Sequence, residues 1–265
     1  MANNLVGKFQ TAIWFLQRPR LYPQALQLAR NRLAPAPGEK TRAQAIEWCR
    51  SRAISSDEAI ERITGAPKEQ PVEQKYAALF AEAQARVAAS PFVMGGAGAL
   101  DLLYWTARRL QAERVIETGV AYGWSSLALL LALEDRPNAR LVSTDMPYIK
   151  AESDNAVGMV VPQALRAKWT LIRLADRQGL PRALREMGSI DLCHYDSDKS
   201  YAGRMWAYPR LWAALRPGGC FISDDIGDNL GFHDFARATG VEPIVLRLTE
   251  EDDSKFVGAL LKPAG

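Results

Sequence analysis

Histidine and cysteine are scarce in this chain, with two and three residues respectively in 265. His194, His233, Cys49, Cys193 and Cys220 form no C-x-x-C and no paired Cys/His spacing, which argues against a structural zinc site and a disulfide framework. The cysteines read instead as reduced core residues of a cytoplasmic protein. No uncharged apolar run approaches the ~18 residues of a membrane span. The N-terminus lacks the compact apolar stretch and small-residue cleavage site of a signal peptide. There is no Gly-x-Ser-x-Gly elbow, so serine-hydrolase chemistry lacks its usual signal, and there are no internal repeats. Acid is missing from residues 1–32, which hold Lys8, Arg18, Arg20, Arg30 and Arg32.

What is present suits a globular enzyme. Apolar residues make up 48% and charged residues 24%, enough for a sizeable core. The net charge of +3 is too small to argue for nucleic acid, but it is unevenly spread. Residues 1–110 carry 15 Lys and Arg against nine Asp and Glu; residues 111–265 carry 18 against 21. The acidic part is therefore where a site is sought. The basic amphipathic segment 1–32 can lie on an anionic membrane or meet a partner. A helix pair packed on its own domain is the favoured reading, and a homo-oligomer is left open.

Up to about residue 90 the pattern is helical. Leu5, Phe9, Ile13, Leu16 and then Leu21, Ala25 and Leu28 recur at three- and four-residue spacing, broken by Pro19 and Pro23. Ala34-Pro35-Ala36-Pro37-Gly38 reads as a linker or turn. Ser55-Ser56-Asp57-Glu58 has capping-box spacing and predicts a helix ending near Gly65, followed by a longer one over 71–89. From residue 91 helix and strand alternate. Strands are predicted at Arg114–Glu117, Arg140–Thr144, Trp169–Leu174, Ile190–Tyr195, Cys220–Ser223, Pro243–Leu248 and Phe256–Leu261. Such alternation predicts an α/β fold: a Rossmann-like, doubly wound, mainly parallel seven-stranded sheet. The last two strands flank the acidic turn Glu250-Glu251-Asp252-Asp253 and should pair as an antiparallel hairpin. The division expected is a helical N-terminal extension, 1–90, and a Rossmann-like domain, 91–265.

Val115-Ile116-Glu117-Thr118-Gly119-Val120-Ala121-Tyr122-Gly123-Trp124-Ser125-Ser126 runs strand, glycine turn, helix. The turn falls at the carboxyl edge of the sheet, where open α/β folds bind ligands. A dinucleotide fingerprint needs glycine at the first, third and sixth turn positions, here Gly119, Ala121 and Trp124, so a pyrophosphate site is disfavoured. The amides opening the helix at Ser125 and Ser126 suit a carboxylate. Asp145, ending the next strand, is placed to accept ribose hydroxyls. Together these residues favour a nucleoside-containing cofactor over a plain βα turn.

The pattern Glu117-x-Gly119-x-x-x-Gly123-x-Ser125 followed by Asp145 resembles the cofactor motifs of class I S-adenosylmethionine-dependent methyltransferases, over roughly residues 91–263. The resemblance implies that Gly119 and Gly123 line the methionyl part of S-adenosyl-L-methionine, Ser125 meets its carboxylate, Asp145 binds ribose and Asp176 lies near adenine. Glu117 matches the acid ending the first strand. Met94, before Gly95-Gly96, is similar to a cofactor-contacting Met of catechol-type O-methyltransferases.

A second constellation joins Asp196-Ser197-Asp198-Lys199-Ser200-Tyr201 to Asp224-Asp225, at the ends of strands that should be neighbours. Clustered carboxylates call for a cation or a proton, and hard oxygen ligands favour Mg²⁺ or another divalent ion; the same acids can simply cap helices. Asp196-x-x-Lys199 and Asp224-Asp225 resemble the metal-dependent O-methyltransferases. That implies a metal on Asp196, Asp224 and Asp225, with Lys199 as the base that deprotonates an acceptor hydroxyl. The Asp-Ser-x-x-Ser-Tyr frame is closer to bacterial sugar and natural-product methyltransferases, where His commonly stands at the place of Lys199, and Asp225 replaces the usual Asn. His194 reads as a core residue and His233 as an alternative base or a surface position. Trp206 and Tyr208 shape a pocket or pack on the sheet. The expected activity is O-methylation of a small-molecule hydroxyl, of a sugar or secondary metabolite. The alternatives are a metal-dependent hydroxylase on the same scaffold and a non-catalytic cofactor-binding module.

Overall fold

The computed structural model describes residues 13–22, 25–26, 29, 41–148, 151–249 and 254–264. Its strands are β1 (Ala53–Ile54), β2 (Arg114–Thr118), β3 (Arg140–Thr144), β4 (Trp169–Ile172), β5 (Ile190–Tyr195), β6 (Leu215–Ser223), β7 (Ile244–Arg247) and β8 (Phe256–Leu261). They form one sheet in the spatial order β1-β7-β8-β6-β5-β2-β3-β4. Every neighbouring pair is parallel except those made by β8, which runs antiparallel to both β6 and β7. The doubly wound sheet and the C-terminal hairpin match the sequence expectation. The sheet has eight strands rather than seven, because Ala53 and Ile54 pair with Val245 and Leu246 at its edge.

Burial of both faces explains the strand sequences. In β2, β3 and β5 nearly every residue is buried, as covering helices require. The Ala/Leu-rich helix Trp124–Leu133 has nine of its ten residues buried, lying between the sheet and the helix Leu100–Arg109. Ser55 caps the helix Ser56–Thr64 by accepting the Glu58 amide at 3.2 Å, and Gly65 closes it at φ 75°. Ile60, Ile63 and Phe80 join the core that holds Trp124, and the Phe80 and Trp124 rings stack at 5.9 Å. The stretch expected as one helix over 71–89 is two, Val72–Lys75 and Ala77–Ala88. They part at Tyr76, whose hydroxyl donates to Glu134 at 3.0 Å.

Of the N-terminal segment, Trp14, Phe15 and Leu21 are buried against Ala175 and Met146. Leu5, Phe9, Leu28, Lys8, Arg30, Arg32, the Ala34–Gly38 stretch and the Glu250–Asp253 turn lie outside the described residues.

β2 is flanked by β3 on one side and β5 on the other, so the strand order reverses between β2 and β5. Loops leaving neighbouring strands there diverge and open a crevice at the carboxyl edge. The two constellations singled out in the sequence meet at that crevice.

Candidate active site

The chain leaves β2 through three left-handed residues, Gly119 (φ 81°), Ala121 (φ 48°) and Gly123 (φ 94°). A Cβ on Gly119 would stand 2.2 Å from the Asp196 carbonyl oxygen, so only glycine lets the ends of β2 and β5 close this tightly. At Gly123 a Cβ would meet Gly158 Cα at 2.9 Å, so this glycine serves packing against the 158 segment.

Asp145, just past β3, is buried. Its Oδ2 accepts the amides of Val120 (2.8 Å) and Ala121 (3.1 Å), and its Oδ1 accepts Arg173 Nη1 at 2.7 Å. Burial pushes this carboxyl above its usual range, against the pull of Arg173 and both amides. Arg173 Nη2 also donates to Asp154 Oδ1 at 2.6 Å, and the Tyr148 amide donates to the same oxygen at 2.8 Å. One guanidinium thus ties the glycine turn's anchor to Asp154, which also holds the Tyr148 amide. Sequence reading missed Arg173, which carries no motif; its place just after β4 was the available signal.

A cavity of about 950 Å³ opens at this edge, lined among others by Phe92, Val93, Gly119, Asp145, Met146, Tyr148, Asp176, Asp196 and Lys199. Five of the residues singled out in the sequence therefore share one cavity: Gly119, Asp145, Asp176, Asp196 and Lys199. Asp176 opens the helix Asp176–Met187 and accepts Ser197 Oγ at 2.6 Å, while its burial raises its carboxyl.

Four residues expected to contact the cofactor are not among those lining this cavity. Met94 packs on the core while its neighbours Phe92 and Val93 line the cavity. Glu117 is fully buried under the helix Trp124–Leu133, accepting Ser126 Oγ at 2.5 Å and Ser143 Oγ at 2.6 Å. It does not end its strand, since Thr118 does, and alternation turns the two side chains to opposite faces. Gly123 and Ser125 also stand off the cavity wall. His194 is the cross-strand neighbour of Glu117, with Nδ1 3.8 Å from Oε1. Burial opposes its charged form, yet Glu117 outweighs that and raises the imidazole. It is a core residue, as expected.

The acidic constellation converges, but not as a metal cage. Lys199 Nζ stands 3.2 Å from Asp196 Oδ1 and forms a short ion pair with Asp225 Oδ2. Among the described residues no group of three His, Cys, Asp or Glu side chains is set to hold a metal ion. The arrangement gives no support to the expected cation on Asp196, Asp224 and Asp225, because the ammonium of Lys199 takes the place between two of those carboxylates. As arranged, the residues do not fit a divalent ion. The same pairing bears on the expected base, Lys199. Burial alone would lower the lysine, but Asp196 and Asp225 outweigh it and hold Lys199 above its ordinary value, as an ammonium.

Asp224 lies behind the cavity, where a Cβ on Gly98 would come within 3.1 Å of its Oδ2. Burial, and next the Asp196 carboxylate, push it up to about 6. Asp196 is also raised, first by burial, while Lys199 pulls it down.

Two buried residues absent from any sequence motif hold this arrangement. Arg204 is fully buried on the helix Tyr201–Ala214 and donates Nη2 to the carbonyls of Asp225 (2.7 Å) and Asp224 (3.3 Å). It thereby secures Asp225 in a left-handed conformation, φ 49° and ψ 39°. Asn229 donates to the Lys199 carbonyl at 2.8 Å. A residue of the helix that follows Lys199 thus fixes Asp225, and a residue of the loop that follows Asp225 fixes Lys199. His233 stands apart: its Nδ1 is 2.8 Å from Asp234 Oδ1 and its ring meets Trp48 edge-on at 5.1 Å. Tyr208 is buried in an aromatic cluster, and Trp206 packs beneath Arg177 and Arg210. Neither lines the cavity.

Residues 116–226 match the family model described as a methyltransferase domain. No curated protein matches the chain. Among solved structures, the O-methyltransferase from Bacillus cereus in complex with SAH is 14% identical, with a TM-score of 0.55, and the match covers 81% of this chain and all of that one. The O-methyltransferase TomG from Streptomyces achromogenes, involved in tomaymycin synthesis and solved with SAM, is 19% identical, with a TM-score of 0.52 over 86% of this chain and 99% of that one. At these identities the likeness is one of fold.

Proposed function

We propose that this chain, whose residues 116–226 match the methyltransferase domain model, transfers the methyl group of S-adenosyl-L-methionine to a hydroxyl of a small molecule. The observation that carries this reading is the closure of Gly119 onto Asp196, which makes the glycine turn and the Asp196–Lys199 pair walls of one cavity. On this reading Gly119 gives the methionyl part room, Asp145 accepts ribose hydroxyls and Asp176 stands beside adenine. Like-folded proteins solved with SAM and SAH support it.

In the transfer, the acceptor oxygen bonds to the methyl carbon as the carbon–sulfur bond breaks, and sulfur keeps the electron pair as a neutral thioether. The hydroxyl proton goes to Asp196, whose raised pKa makes it a better base than an ordinary carboxylate. The Lys199 ammonium donates to the oxygen as negative charge builds on it. Positioning in line with the methyl group supplies much of the rate.

The test is turnover of methyl-labelled S-adenosylmethionine by the full chain with a panel of sugars and phenols, with EDTA and with added Mg²⁺. The expected result is equal amounts of S-adenosylhomocysteine and methylated product, retained in EDTA and lost in Asp196→Ala. Turnover that appears only with Mg²⁺ would return the three aspartates to metal ligation. Consumption of O₂ and 2-oxoglutarate with no methyl transfer would replace this reading by a hydroxylase.

A further inference from the structure

One apolar core lies on each face of the sheet, and Trp14, Phe15 and Leu21 belong to neither. They form a separate cluster whose one other buried member, among the described residues, is Ala175, with Ala25 and Met146 packed against it. Met146 and Ala175 both line the cavity, so this cluster anchors the segment on the cavity wall. The two wall residues are each next in sequence to a carboxylate of the site. Met146 follows Asp145, and Ala175 precedes Asp176 at the start of the helix Asp176–Met187. On the reading above, these are the carboxylates that meet the ribose and stand beside adenine.

Neither wall residue fixes its own place. Ala175 offers a single methyl, and a methionine turns about three bonds, so what packs behind the pair sets the shape presented to a ligand. The segment is built to supply that packing. Tyr22 donates to the Leu16 carbonyl at 2.9 Å, the Leu21 amide to the Arg18 carbonyl at 2.8 Å, and Arg18 lies over the Trp14 ring at 4.5 Å. The Trp14 and Phe15 rings meet edge-on at 5.0 Å, and Trp14 is 5% exposed. Its indole N–H is buried with no acceptor among the described residues, so apolar contact holds the ring.

We propose that Trp14 is a positioning residue for the cofactor. With Phe15 and Leu21 it holds Met146 and Ala175 as a preformed apolar wall for the adenosyl end, so the N-terminal segment is part of the cofactor site. The family model, which starts at residue 116, leaves this segment out. The inference rests on the cofactor reading above. Coupling of this kind is reciprocal: the affinity that the packed segment gives the cofactor returns as resistance of the segment to opening.

The experiment uses the full chain and S-adenosylhomocysteine, below the unfolding midpoint of every variant. In calorimetry Trp14→Ala should bind at least about fivefold more weakly than the wild type. Trp14→Phe, which keeps the apolar contact, should stay within about twofold, and Leu16→Ser, at an exposed position, should match the wild type. In the wild type, saturating ligand should slow hydrogen exchange of the amides of residues 13–22 by at least about fivefold, and those of the helix Ser56–Thr64 less. A purely structural Trp14 would lower Tm and leave both readings unmoved. Equal binding by the wild type and Trp14→Ala, or exchange at 13–22 that ignores the ligand, would overturn the proposal and leave the cofactor reading intact. No binding by the wild type would overturn both. The exchange measurement needs no variant, so it decides the matter should Trp14→Ala fail to fold.

Discussion

The two halves of the crevice differ in how their charges are answered. At the ends of β2 and β3, Asp145 has both oxygens engaged, by two amides and a guanidinium. At the ends of β5 and β6, two of three carboxylates, Asp196 and Asp225, share the Lys199 ammonium, and Lys199 stands near Asp196 Oδ1 without hydrogen-bond geometry. Asp224 has no cation of its own and is pushed up to about 6. A satisfied half is rigid and shaped in advance, which suits binding. An unsatisfied half holds groups whose protonation is easily changed, which suits chemistry. Arg204 and Asn229 keep that second half in place from behind.

Variants should separate the halves, and the largest effect is expected in the unsatisfied one. Asp196→Ala should cut turnover by about 10²–10⁴-fold while affinity for S-adenosylhomocysteine stays within about twofold; a matching loss of affinity would erase the distinction. Gly119→Ala should strike both, since the new Cβ meets backbone at 2.2 Å in a left-handed conformation. A loss of about 2–4 kcal/mol is expected in urea unfolding, and a loss below about 1 kcal/mol would show that β2 and β5 part freely. Asn229→Ala releases the Lys199 carbonyl and should cost about 1–2 kcal/mol together with turnover, leaving cofactor affinity alone.

The smallest effect concerns pH. Asp224 titrates about 6 in the folded chain against 3.8 for an ordinary aspartate, so folding favours its protonated form. Its contribution to stability is present at low pH and is lost as pH rises through 6. Asp224→Asn should therefore raise Tm by a few degrees at about pH 7.5, by roughly 1–2 kcal/mol, and by little near pH 4. An equal rise at both values would mean that the carboxylate is not buried as a charge.

Much of this fold is legible in the residues. β3, β5 and β8 stand where their apolar runs predict, because long buried runs between turns leave few alternatives. β1 escaped because two residues show no period. β6 begins at Leu215, five residues before the expected Cys220, because it runs through Pro217-Gly218-Gly219, which reads as a turn. There the pairing with β5 slips between Ile190 and Leu192.

At the site, single residues made the difference. Gly119, Asp145 and Asp176 sit at strand or helix ends, where position follows from topology. Met94 stands one residue past Val93 and Glu117 two residues before Gly119, the positions that line the cavity. For Lys199, expected as the base, spacing shows that a lysine is near carboxylates but not that two of them flank its ammonium. Arg173 and Arg204 act on partners dozens of residues away or on backbone, and no local pattern marks them.

The most direct measurement is calorimetry of S-adenosylhomocysteine binding to the wild type and to Asp145→Ala. A single site is expected in the wild type, with affinity at least about tenfold weaker in the variant, equivalent to about 1.4 kcal/mol. No binding by the wild type, or equal binding by both proteins, would contradict the assignment of this cavity to the cofactor.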